Sequence, residues 1–167
     1  SYTETLMADN ELNGIITQVT QVSPIMKVIR IAPDGWELPE FTAGQFCALF
    51  LPPEAPRCEN GVEEPYPSKP DKMIKRAYSI ASGSKTSEYL EFYITLIHSG
   101  NLTPRIFALN VGDRIGVGQK FTGMFTLDQV AEDQNIILIG TGTGVAPYMS
   151  MLRSDALKKR HKNICIV

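Results

Sequence analysis

Three short stretches of this sequence carry residue types suited to holding a phosphorylated ligand with a flat ring. The first is Gly140-Thr141-Gly142-Thr143-Gly144-Val145-Ala146-Pro147, directly after the apolar run Ile136-Ile137-Leu138-Ile139. Glycines at alternate positions let the backbone turn tightly and approach a ligand closely. A helix starting there points unpaired N–H groups and the positive end of its dipole at an anion. The second is Arg76-Ala77-Tyr78-Ser79. An Arg offers a phosphate two parallel charge-assisted hydrogen bonds. A Tyr two residues on shares its side of a strand and stacks on a flat ring, and the adjacent Ser hydrogen-bonds a ring edge. The third is Gly100-Asn101-Leu102-Thr103-Pro104-Arg105, a glycine turn into a short predicted helix. Thr103 is expected as its N-cap and Pro104 at its first position.

These stretches need a frame. Alternating and β-branched segments predict strands over 13–22, 26–32, 45–51, 75–81, 89–97 and 113–117. Many short strands separated by Gly and Pro predict a closed or nearly closed antiparallel barrel. In 89–97, Leu90, Phe92, Ile94 and Leu96 share one face, with Glu91, Tyr93 and Thr95 on the other. A strand at 136–139, the glycine loop, a helix over 146–161 and a strand at 163–167 then read as the opening βαβ of a parallel sheet. Tyr148, Met149, Leu152 and Ala156 are the expected core stripe of that helix. Lys158, Lys159, Arg160 and Lys162 are expected to complement its C-terminal dipole. The fold class is therefore β-barrel plus α/β. The expected units are a six-stranded antiparallel barrel over 10–128 and an incomplete strand–loop–helix–strand unit over 134–167. Residues 52–72 hold six prolines and four glutamates. They read as a solvated insert or a partner-docking loop, whose removal is expected to leave the ligand site intact.

At 167 residues the chain has room for one domain or one and a part. A net charge of −2 argues against a nucleic-acid partner. No apolar run approaches the ~20 residues of a membrane-spanning helix. Residues 1–10 lack the pattern of a signal peptide. Cys47, Cys58 and Cys165 have no metal-ligand spacing, and neither do His98 and His161. Cys47 is expected in the core and Cys58 at the surface. Unpaired cysteines point to a reducing cytoplasm.

Taken in order, Arg76 to Ser79, Leu90 to Tyr93, Gly100 to Arg105, Val111 to Asp113, Gly123 to Leu127 and Gly140 to Pro147 resemble the ferredoxin–NADP reductase family, in particular its bacterial branch. The resemblance spans roughly 12–152. A common G-x-G-x-x-G would need glycine at Val145; alternate glycines followed by Val-Ala-Pro are the form seen in this family. The resemblance implies an FAD-binding barrel and an NADP-binding unit. It implies that Arg76 holds the FAD pyrophosphate, with Ala77 beside it, that Tyr78 stacks on the isoalloxazine, and that Ser79 lies near flavin N5. Tyr93 would contact FAD from a neighbouring strand. Gly100, Asn101, Leu102 and Thr103 would take its phosphates. Thr141, Gly142 and Gly144 would let NADP(H) approach, and Thr143 would sit where nicotinamide and flavin meet, so that Ser79 and Thr143 are the expected catalytic residues.

The implied activity is electron transfer between NADP(H) and a one-electron carrier, ferredoxin or flavodoxin, by a monomer without metal. The alternatives are the reductase component of a multicomponent oxygenase and a non-catalytic flavin-binding electron-transfer or regulatory module. In the family the NADP 2′-phosphate site lies beyond the first βαβ unit. A piece of a longer reductase is therefore expected, holding FAD and binding NADP(H) poorly.

Overall fold

The structure is a computed structural model that describes residues 12–158, 160 and 162–167. Expectations for residues 1–11, Lys159 and His161 lie outside it.

Six strands form the barrel: β1 Gly14–Ser23, β2 Met26–Pro33, β3 Phe46–Leu51, β4 Ile74–Ser79, β5 Leu90–Thr95 and β6 Arg114–Val117. Their order in the sheet is β4-β3-β6-β1-β2-β5, with every pairing antiparallel. The two outer strands, β4 and β5, come close together. The Ala81 N–H just beyond β4 bonds the Glu91 carbonyl at 2.9 Å and nearly closes the barrel.

Alternation explains the core. Ile29 and Ile31 on β2, Phe92 and Ile94 on β5, Leu49 and Leu51 on β3, and Ile115 and Val117 on β6 are all buried in one cluster. A short helix, α1 Thr103–Phe107, adds Ile106 and Phe107 to it. Asn13 is the polar exception. Its amide donates to the Val117 carbonyl at 2.9 Å and its side-chain oxygen accepts from the Val117 N–H at 2.7 Å. The side chain thus continues the β1–β6 ladder by one more exchange, which keeps a buried amide satisfied. Cys47 is buried as expected, whereas Cys58 is half-buried.

A second layer follows. Strand β7 Ile136–Leu138 lies parallel to β8 Ile164–Ile166, joined through a 3-10 turn at Gly142–Val145 and helix α2 Ala146–Arg153. Tyr148 and Met151 of α2 pack with Leu127, Ile136, Leu138 and Leu157. The expected helix is corrected here: α2 stops at Ser154, and 155–158 are turns. The Ser154 hydroxyl bonds back to the Ser150 carbonyl at 2.5 Å while its backbone is already extended. The expected stripe holds only in part: Tyr148 is buried and Met149 half-buried, whereas Leu152 and Ala156 are exposed. The helix buries two sides, one on β7 and one on the barrel, so Met151, Ser150 and Ser154 are inside instead.

The basic cluster does not complement the helix dipole either, since it begins five residues past Arg153. Lys158 pairs with Asp155, and Arg160 donates to the Ala131, Leu127 and Val130 carbonyls.

Polar contacts fasten α2 to the barrel. Ser150 Oγ donates to the Ser82 carbonyl at 2.8 Å, and Ser154 Oγ accepts from the Ser84 N–H at 2.9 Å. Buried Glu91 is held between Arg30 at 3.0 Å and Arg153 of α2. Gly44 takes φ +106°, and a Cβ there would lie 1.8 Å from the Phe125 carbonyl oxygen. Only glycine lets the β2–β3 connection pass so close to the segment that leaves the barrel.

Candidate functional site

Two segments about twenty-five residues apart line one open cavity of about 470 Å³. Strand β4 supplies Arg76, Ala77 and Tyr78, and the turn before α1 supplies Gly100, Asn101, Leu102 and Thr103. Tyr66 and Ile97 complete the wall. Arg76 is exposed beside the half-buried Tyr78 ring. Burial pushes the Tyr78 phenol up to about 12, with the Arg76 charge pulling the other way. The ring therefore stays neutral.

The turn is built differently from the expected cap. The N-cap of α1 is Leu102, and Thr103 is already helical. The Thr103 hydroxyl is drawn away to close the turn: it accepts from the Ile97 N–H at 2.9 Å and donates to the Ile97 carbonyl at 3.3 Å. Gly100 N–H also bonds the Ile97 carbonyl. The Asn101 and Leu102 N–H groups have no acceptor among the described residues, so the turn presents donors to the cavity that Arg76 lines. Such a pairing of backbone N–H with a guanidinium suits a phosphate.

Most of the 52–72 segment is exposed, as expected of a solvated insert, but it is fastened to the turn before α1. Arg105 of α1, its side chain 8% exposed, pairs with Glu64 at 2.7 Å. It also donates to the Ala55, Pro53 and Asn101 carbonyls. Arg57 meets Glu64 at 3.2 Å and reaches the Gly100 carbonyl at 2.7 Å and the His98 carbonyl at 3.0 Å. The Asn101 side-chain amide donates to the Tyr66 carbonyl at 3.0 Å and to Ser68 Oγ at 2.9 Å. These bonds argue against the expectation that removing the loop spares the site, because the loop and the turn share one hydrogen-bond network. Glu64, Arg57 and Tyr66 were missed in the sequence. No local signal marks them, because Glu64 meets Arg105 and Arg57 reaches Gly100 some forty residues away in the sequence.

The remaining candidates lie outside this cavity. Ser79 is half-buried at the end of β4, where it pairs with Phe46. The 3-10 turn Gly142–Val145 packs alongside β5, the strand of Tyr93. Burial raises the Tyr93 phenol, opposed by the charge of Arg153 and a hydrogen bond with it. Gly142 adopts φ +55°, the left-handed region that favours glycine. A Cβ at Gly142 or Gly144 would meet nothing within 4 Å. Thr141 is exposed and Thr143 half-buried at the same open surface. No cluster of three or more metal-ligating side chains exists among the described residues. No helix among them is long and apolar enough to cross a membrane.

No family model matches the chain. A flavodoxin/ferredoxin–NADP reductase of Buchnera aphidicola subsp. Schizaphis graminum is 34% identical over 131 residues, covering 78% of this chain and 48% of that protein. The crystal structure of a ferredoxin NADP+ reductase from Neisseria gonorrhoeae with bound FAD and NADP superposes with a TM-score of 0.74 at 22% identity, covering 92% of this chain and 55% of the other. Phthalate dioxygenase reductase has the same fold at a TM-score of 0.66 and 20% identity, covering 96% of this chain and 44% of its own. The chain spans about half the length of the relatives it matches. By its sequence over that span the chain is a homologue of the flavodoxin/ferredoxin–NADP reductases, and its barrel and βαβ architecture are those of the ferredoxin–NADP reductase fold.

Proposed function

We propose that this chain is the flavin-binding part of an FAD-dependent oxidoreductase that moves electrons between NADP(H) and a one-electron carrier, ferredoxin or flavodoxin. The observation that carries the reading is the convergence of Arg76, Tyr78 and the Gly100–Thr103 turn on one cavity. The residues present fit FAD: a guanidinium and two unpaired backbone N–H groups for its phosphates, and a neutral ring for its isoalloxazine. When bound, FAD supplies acceptance of an electron pair from a nicotinamide and release of single electrons.

In this reading residues 10–128 are the FAD-binding unit, and 134–167 open the NADP-binding unit. Arg76 neutralises phosphate charge, and Ala77 keeps the strand low beneath it. Tyr78 orients the flavin, and Tyr93 bounds the ring from β5. Ser79 offers its hydroxyl to a ring edge. Gly142 and Gly144, with Thr141 and Thr143, leave room for a nicotinamide dinucleotide. The vacant space where their Cβ atoms would stand supports this, because at Gly144 nothing in the chain itself requires glycine.

Flavin titration of the purified chain tests the reading. Arg76→Ala and Tyr78→Ala are each expected to weaken FAD binding at least tenfold while the melting temperature of the flavin-free chain holds. Full flavin occupancy in both variants would overturn the site. Addition of NADPH with ferredoxin or flavodoxin, compared with an oxygenase component, then separates the carrier reading from the oxygenase-reductase reading that the phthalate dioxygenase reductase fold also supports.

A further inference from the structure

The cavity wall contains two aromatic rings, Tyr78 from the barrel and Tyr66 from the 52–72 loop. They differ in kind. Tyr78 is partly sunk into the barrel, whereas Tyr66 is 85% exposed. An exposed Tyr on a loose loop would carry no meaning. Tyr66, however, sits in a segment fastened on both sides. Glu64, two residues before it, is locked between Arg105 and Arg57. Its own carbonyl and Ser68, two residues after it, are bonded by the amide of Asn101. The loop therefore holds a bare ring beside the same turn that offers N–H donors to phosphate.

We propose that Tyr66 is the stacking platform for the adenine of FAD, and that the Arg57–Glu64–Arg105 cluster is the brace that sets it there. The inference rests on the flavin reading above. A dinucleotide with flat rings at both ends and phosphates between them needs two ring surfaces flanking an anion site. Tyr78 serves the flavin end, which leaves Tyr66 as the second aromatic surface in the cavity. The alternate prolines Pro65 and Pro67 on either side stiffen the backbone that presents it. Stacking of a base on an aromatic ring is sequence-tolerant and depends on an accessible face, which Tyr66 has. This makes the loop part of the cofactor site and a determinant of FAD over FMN, since FMN has no adenine to stack.

FAD and FMN are titrated separately into this chain and its Tyr66→Ala and Tyr66→Phe variants, followed by flavin fluorescence and calorimetry. Tyr66→Ala is expected to weaken FAD by roughly tenfold, within the range of base–aromatic stacking, and to leave FMN affinity unchanged. Tyr66→Phe is expected to retain FAD affinity, because the ring and not the hydroxyl does the stacking. Unchanged FAD affinity in Tyr66→Ala overturns the proposal. An equal loss for FAD and FMN also overturns it, because a merely structural ring would affect both. If the unaltered chain takes up neither flavin, the flavoprotein reading itself falls and this inference with it. FMN binding by the unaltered chain without a gain for FAD removes the adenine platform alone.

Discussion

Glu64→Gln is the sharpest probe of how the loop is held. The side chain of Glu64 is 10% exposed and that of Arg105 8%, with their charged atoms 2.7 Å apart. Arg57 lies on the same carboxylate oxygen at 3.2 Å. Removing one member of a buried ion pair costs about 3–5 kcal/mol, because the partner charge is left without compensation. Here Arg105 keeps three carbonyl acceptors, from Ala55, Pro53 and Asn101, and Gln keeps one acceptor oxygen. The expected loss is therefore smaller, about 2–3 kcal/mol. For a chain of this size that corresponds to a melting temperature lower by roughly 5–10 °C.

Calorimetry reads this shift, and limited trypsinolysis reads its location. Cleavage after Lys72 is expected to accelerate as the loop loosens, ahead of sites in the barrel. Asp155→Asn serves as a control at an exposed pair and is expected to lower the melting temperature by less than about 2 °C. A Glu64→Gln melting temperature within about 2 °C of the parent would refute the argument. It would mean that the carbonyl acceptors alone satisfy Arg105 and that the carboxylate braces nothing.

Two further outcomes follow from single groups. Hydrogen bonds from Lys85 and Lys158, and then their charges, hold the Asp155 carboxyl at about 2 against an ordinary 3.8. Its contribution is present above the unfolded value and is lost as pH falls from about 4 through about 2; a carboxyl carbon NMR titration with a midpoint near 3.8 would contradict the pairing. Burial pushes the Cys47 thiol up to about 12, so a thiol reagent at pH 8 is expected to modify exposed Cys165 and spare Cys47 until the chain unfolds. Rapid reaction of all three cysteines in the folded chain would count against that burial.

The barrel was legible because its strands alternate. In β5, Leu90, Phe92 and Ile94 point inward as the period of two demands. Glu91 on the opposite face is buried nonetheless, since Arg30 and Arg153 converge on it from two other elements. That burial arises from tertiary neighbours and leaves no local mark. The α2 stripe held only in part for a related reason. A helix with one buried face obeys the 3.6-residue period, but α2 lies between β7 and the barrel, so Ser150 and Ser154 are buried while Leu152 is exposed.

At the candidate site, Arg76, Tyr78 and the Gly100–Thr103 turn were legible because backbone and side-chain chemistry are local to each motif. The role of Thr103 was not, because its hydroxyl bonds Ile97 in the preceding loop. The 52–72 loop was opaque because prolines and glutamates look alike in a solvated tail and in a braced one. Only the pairing of Glu64 with Arg105, across the whole of β4 and β5, tells them apart.

The position of β6 in the sheet has a consequence for how the chain assembles during synthesis. In the order β4-β3-β6-β1-β2-β5, this four-residue strand is the only ladder between the β3–β4 hairpin and the β1–β2–β5 group among the described residues. It is also the last of the six to be made. As the ribosome extends the chain, both groups are synthesised before the strand that joins them exists. Each waits with an unsatisfied inner edge, and Asn13 waits for a partner 104 residues away. Closing so long a loop costs more than closing a hairpin, and contacts of such separation slow folding. Completion of the barrel is therefore timed by the emergence of Arg114 to Val117, and the cavity shared by β4 and the turn before α1 is set only after that strand docks.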